Sequence, residues 1–261
     1  MTGMLRALLV AVGAGLSTVG GVAAQSASQS HERFLVIPFE NTGKEARFHW
    51  LGEASAVLLA DDLNAHGRRA YTREERLEAF EQLQVPPVAA LSHATVIRLG
   101  QVVGATHVVI GSFRLTGGQI AVRARNIRLD TGHMENEIVE PGPLEDLFAM
   151  FERVSRRVGG ATASSAMPLE RPILQAFENY IKGLIASATA ARIGYLESAI
   201  KLGPGFDRAR LALWAVHHEQ GSGQAALLAA AAVPEASPYY ARARFSVALS
   251  LIQLKRFEEA F

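Results

Sequence analysis

Few side chains in this chain have the types and spacing to do chemistry. Eight histidines are scattered, and none stands at a metal-ligand spacing from a carboxylate. His217 and His218 are adjacent, so on a helix they diverge by about 100° and do not chelate together. His31-Glu32 lacks the second histidine of a zincin helix. His107 opens a β-branched run and reads as a core or strand-edge histidine. Asp61-Asp62 has the composition of a carboxylate pair for acid–base work, but helical neighbours point apart, so a solvated face is expected. Arg123, Arg125 and Arg128 either offer a basic strip to an anionic partner or form the wet face of a strand. No G-x-S-x-G or phosphate-loop pattern is present, and Gly13-Ala14-Gly15 has neither the preceding strand nor the spacing of a nucleotide loop. A Ser/His/Asp triad assembled across the fold leaves no linear signature. The sequence therefore assigns no catalytic residue, metal ligand or cofactor.

Composition narrows the class. The chain has 261 residues, 49% apolar and 20% charged, with 26 basic against 25 acidic side chains, a formal net charge of +1. That is globular, long enough for about two domains, and without the positive field that dominates nucleic-acid affinity. The absence of cysteine excludes disulfides, thiolate sites and a lipid-bearing amino-terminal cysteine. Residues 1–24 have the makeup of a secretory signal: Arg6, an apolar run, and Val22-Ala23-Ala24 as small residues for cleavage. A periplasmic or secreted address follows, with no stable span once the signal is removed; the alternative is an anchor left uncleaved. Residues 25–33 are a polar lead-in.

The elements come next. The organising stretch is Thr106–Asp130, two β-branched runs meeting at Gly117-Gly118, which can supply the positive φ angles of a tight hairpin. In the second run Ile120, Val122 and Ala124 alternate with Arg123 and Arg125, then the apolar parity shifts to Ile127 and Leu129, which predicts either a bulge near Asn126 or burial of both faces there. Phe34–Phe39 is a buried strand, with Pro38 at its end or at an edge. A helix over 46–65 carries the stripe Leu51, Ala54, Val57, Leu58 and Leu63. Ala70-Tyr71 is a brief strand, Thr72 and Glu75 have capping-box spacing, and Ser92 can cap another helix. A weaker strand spans Met134–Val139, Pro141-Gly142-Pro143 reads as a sharp break with Pro143 at a first helical position, and the helix after it is amphipathic through Leu144, Leu147, Phe148, Phe151, Val154 and Val158. The order β-α-β-α-α-β-β-β-α is a mixed-sheet α/β domain over 34–159.

Phe34–Asn41, Trp50-Leu51-Gly52-Glu53, Tyr71-Thr72-Arg73-Glu74, Gly104–Ser112 and Asp130-Thr131-Gly132 occur in this order, and together they resemble the amino-terminal domain of TolB and its relatives in the bacterial envelope. The resemblance implies a non-catalytic α/β docking domain used in envelope assemblies and carries no active-site residues.

Residues 160–170 are a linker, and 171–261 are helical and Ala-rich. Taking Pro204 as the residue that closes a repeat, Leu196, Ala199 and the pair Ala212/Ala248 fall where a tetratricopeptide repeat needs them, so the segment is similar to an incomplete solenoid of such repeats, with an irregular bundle as the alternative. Ending inside a second helix, the array is expected to be cut short. In this register Phe206, Leu213, Arg242, Phe245 and Leu249 line a groove for a protein partner, or else Phe245 and Leu249 pack the next repeat. The expected function is an exported, non-catalytic scaffold that binds protein partners in the cell envelope, of unknown oligomeric state. The alternatives are a ligand- or glycan-binding accessory of an envelope enzyme or transport system, and a regulatory module.

Overall fold

A computed structural model describes residues 32–43, 45–86, 91–160 and 169–260. The signal expected over 1–24, most of the lead-in and most of the linker lie outside these residues. A six-stranded sheet has the order β3-β1-β4-β5-β6, with β1 Arg33–Val36, β3 Arg69–Ala70, β4 His107–Thr116, β5 Gln119–Arg128 and β6 Ile138–Pro143; the short β2, Glu40–Asn41, adds to β4. β3, β1, β2 and β4 pair in parallel, and β4, β5 and β6 pair antiparallel. The hairpin is as the glycines dictate: Gly117 and Gly118 take φ of 58° and 79°, and every residue from His107 to Thr116 has one partner on β5. No bulge interrupts this register. Asn126 and Ile127 are both buried instead, because the helix over His93–Val103 lies against the second face at that end, with Gly100 close to Val108 and Leu129.

Side-chain alternation along β1 explains the layering. Phe34 and Val36 face one core, with helices α1 Trp50–Ala65 and α4 Leu147–Gly159; Leu35 and Ile37 face a second, with α2 Arg73–Gln82 and α3 His93–Val103. The capping box of α2 forms as the spacing predicts: Glu75 N donates to Thr72 Oγ1 at 3.3 Å, and Thr72 N donates to Glu75 Oε2 at 2.7 Å. Ser92 Oγ accepts from Thr95 N at 3.2 Å and starts α3.

Three expectations need correction. The strand expected over Met134–Val139 is β6, four residues later; Met134 keeps only an isolated bridge to Ile127. Pro141 and Pro143 lie inside β6 rather than breaking the chain before a helix. An edge strand tolerates them, since their missing N–H groups are not needed on the open side. The stripe on α1 is also too narrow. Trp50, Ala56, Leu59 and Ala60 are buried too, so this helix is covered nearly all round.

The cover on the far side of α1 is the helical run that follows: α5 Leu174–Ile185, α6 Thr189–Leu202, α7 Asp207–Glu219, α8 Gly223–Ala231 and α9 Tyr240–Gln253. Each packs on the next, and α5 packs on α1. One hydrophobic cluster runs without a gap from the sheet through α1 and α4 into α5, α6 and α7. Aromatic rings mark its path: Phe148 to Phe177 (5.2 Å, edge-on), Phe177 to Tyr180 (6.2 Å), and Tyr180 to Phe206 (4.9 Å).

The same packing corrects the reading of Asp61-Asp62 as a solvated face. Asp62 is buried and pairs with Arg171, and Asp61 pairs with Arg208. Both arginines come from the segment that lies over α1. Burial pushes the Asp62 carboxyl up to about 6 from its usual 3.8, against the opposing pull of Arg171. A raised carboxyl pKa means the folded chain holds a proton that the unfolded chain has lost between about pH 4 and 6. Asp62 therefore stabilises the fold fully below that window and loses the contribution as pH rises through it. Asp62→Asn is expected to remove about 2 kcal/mol of this decline. Urea titrations of both proteins at pH 4 and pH 7 check this; equal pH dependence in the two proteins contradicts it.

Candidate functional site

Two features stand out, a crevice in the sheet and an uncovered helix face. The crevice, about 770 Å³, lies just beyond the point where β1 stops pairing with β4, at Val36 opposite Val109. Here the chain leaves β1 for β3 over one face, through α1, and returns to β4 over the other, through α2 and α3. Open α/β sheets take their ligands outside the carboxyl ends of strands at such a switch point.

Its walls come from elements far apart in sequence. Ile110 and Ser112 of β4 and Arg123 and Arg125 of β5 supply a sheet surface that α2 and α3 leave uncovered. Leu77, Phe80, Val85, Leu91 and Val96 supply the facing wall, and Leu184 and Ile185 of α5 close one end. At the inner end Glu53 accepts a hydrogen bond from Arg73 Nε at 2.9 Å and pairs with Arg76. Arg76 is fully buried, also donates to the Val36 carbonyl at 3.3 Å, and keeps one Nε with no partner among the described residues. Burial pulls the Arg76 guanidinium below its usual range, while Glu53 holds it charged.

The three arginines of β5 are on the surface. Arg123 and Arg125 share Glu137, at 2.6 Å and 3.4 Å, and Arg128 binds Asp130 at 2.7 Å. His107 stacks on Phe34 at 4.6 Å and meets Thr106 Oγ1 at 2.9 Å; burial lowers its pKa. His218 stacks on Trp214 at 5.1 Å, within α7. Among the described residues no group of three or more histidine or carboxylate side chains is placed to hold a metal ion, and no helix is long and apolar enough to cross a membrane.

Of the groove residues expected from the sequence, the structure separates two from three. Phe206 and Leu213 are interior, part of the continuous cluster, because the core sinks through α5, α6 and α7. They line no open groove, and the expectation for these two is corrected. Arg242, Phe245 and Leu249 lie on α9, at the far end of the run. This helix buries its small side chains, Ala243, Ser246 and Ser250, and Ser250 Oγ accepts from Trp214 Nε1 at 2.9 Å. Of its large side chains Leu251 is buried too, but Phe245 is 65% exposed, Ile252 is 43% exposed and Leu249 is partly so. Ile252, seven residues after Phe245 and on the same face, was legible from spacing and is an addition to the expected set. Leu228 of α8 and Phe257 beyond α9 are exposed as well.

No family model matches the chain, and no curated protein matches it. Among solved structures it is similar to the lipoprotein GNA1162 of Neisseria meningitidis, at 16% identity and a TM-score of 0.38 over 50% of this chain and 99% of that one. It is similar to the LpoB carboxyl-terminal domain of Escherichia coli, at 16% identity and a TM-score of 0.35 over 43% of this chain and 82% of that one. It is similar also to TolB of Acinetobacter baumannii, at 15% identity and a TM-score of 0.32 over 48% of this chain and 26% of that one. Likeness at this level assigns no role to any residue.

Proposed function

We propose that this chain is an exported, non-catalytic adaptor of the bacterial cell envelope, which holds a protein partner on the outer face of α9. The observation that carries the reading is the inverted amphipathicity of that helix. Burying a phenylalanine or isoleucine side chain contributes about 1.5–3 kcal/mol, and α9 forgoes this at Phe245 and Ile252 while its covered face holds Ala243, Ser246 and Ser250 beside the single large residue Leu251. Arg242 and Arg244 flank the apolar stripe, and an aromatic beside an arginine is the usual anchor of a protein interface. The envelope address rests on the signal-like residues 1–24 and on the ordered TolB-like segments over 34–159. We read 171–261 as tetratricopeptide-like, with α5/α6 and α7/α8 as antiparallel pairs and α9 as the first helix of the next pair.

The test uses surface variants, since deleting the helical run would strip the cover from α1. Envelope extracts are passed over the chain and over Phe245→Ser/Ile252→Ser. The double variant is expected to melt within about 0.5 kcal/mol of the parent, as surface changes do, and to lose a discrete protein that the parent retains. Retention of the same protein by both would move the docking surface away from α9.

A further inference from the structure

We propose that the crevice is a binding site for a single-chain amphipathic carboxylate of the fatty-acid class, its anionic head on Arg73 and its chain along the apolar walls. The site is separate from the α9 face and stands or falls without it.

The charge balance at the inner end points to an anion. Two guanidinium groups, Arg73 and Arg76, share the one carboxylate of Glu53, and all three side chains are at most one-fifth exposed. One positive charge is thus left over where water screens it poorly. Arg73 spends Nε on Glu53 and Nη2 on the Leu184 carbonyl, at 2.9 Å each, and its Nη1 has no partner among the described residues. The other charges of the crevice are at its mouth. Glu40, Glu81, His49 and His93 are exposed, and Arg123, Arg125 and Glu137 are paired with one another, so bulk water and salt damp their influence on a bound head group.

Apart from Asn41 and Ser112, the remaining side chains of the lining are hydrocarbon or thioether. Leu77 and Leu91 face Ile110 across the crevice, and Leu184 and Ile185 close one end, with no hydrogen-bonding groups in these side chains. A sugar or nucleotide would leave its hydroxyls unpaired against such walls, and burying an unpaired hydroxyl is costly. An alkyl chain leaves nothing unpaired. The volume of about 770 Å³ is within the common range of small-ligand pockets.

Calorimetric titration of the full chain with dodecanoate, dodecanol and dodecylamine, all below their micelle-forming concentrations, tests the proposal. Dodecanoate is expected to bind once per chain, at least tenfold more tightly than dodecanol, with dodecylamine weakest. Shortening the acid from twelve carbons to eight is expected to weaken binding several-fold per methylene removed. Arg73→Met is expected to abolish the preference of dodecanoate over dodecanol while leaving dodecanol binding unchanged; a circular-dichroism melt establishes that the variant is folded. If it is not, the ligand series on the parent chain decides alone. Equal binding of acid and alcohol, preference for the amine, independence of chain length, or no saturable binding would each overturn the proposal. So would tighter binding of a leucine-rich hexapeptide with a free carboxyl terminus than of dodecanoate.

Discussion

Phe177→Ala is expected to destabilise the whole chain by about 3–5 kcal/mol, the cost of emptying a phenylalanine site in a closely packed core. Phe177 belongs to α5, yet it lies edge-on to Phe148 of α4 and inside the cluster that continues to the sheet. The consequence is cooperative. The two tryptophans report separate parts of the molecule, Trp50 from the buried start of α1 and Trp214 from α7. In urea, single-tryptophan versions (Trp214→Phe or Trp50→Phe) of the Phe177→Ala chain are expected to show both midpoints lowered together. A loss confined to the Trp214 signal would mean that the helical run and the α/β layer unfold as separate domains.

Gly111→Val is expected to cost about 3 kcal/mol, at the upper end of what overpacking does. A Cβ at this position would come within 2.5 Å of the Arg123 carbonyl oxygen across the hairpin, and closer still to the Phe39 ring. The ring can give way, but the backbone of β5 cannot without breaking register. Phe39→Leu combined with Gly111→Ala should therefore recover only part of the loss of Gly111→Ala alone. Gly117→Ala is an instructive contrast. Nothing lies within 4 Å of its Cβ position, and only the positive φ is penalised, so about 1 kcal/mol is expected. Thermal melts of the four variants check the order; full rescue by Phe39→Leu would show that the steric conflict is with the ring alone.

Local rules written in adjacent residues were legible. Thr72 and Glu75 make their capping box, the Gly117-Gly118 pair turns the hairpin, and the apolar face of α4 is buried at Leu147, Phe151, Val154 and Val158. What failed depended on which surfaces later meet. Asp61 and Asp62 look like solvent-facing carboxylates until Arg171 and Arg208, more than a hundred residues on, are laid over them. Pro141 and Pro143 look like a break unless the strand is known to be an edge. Phe206 and Leu213 have the repeat spacing of groove residues, but spacing does not say which side of a helix run the core occupies. The crevice was invisible for the same reason: its lining runs from Ile37 to Ile185, and Glu53, Arg73 and Arg76 have no common motif.

The central claim, a partner held on the outer face of α9, is tested most directly by a photo-crosslinking residue placed at position 245 in the chain expressed in bacterial cells. The control places the same residue at 102, an exposed valine on α3 far from α9 in sequence and on the second core's helix layer. The account predicts one discrete adduct with another envelope protein from position 245, lost when Ile252→Ser is added, and none from 102. The same adduct from 102, or no adduct from 245 in cells where the chain is exported, would contradict it.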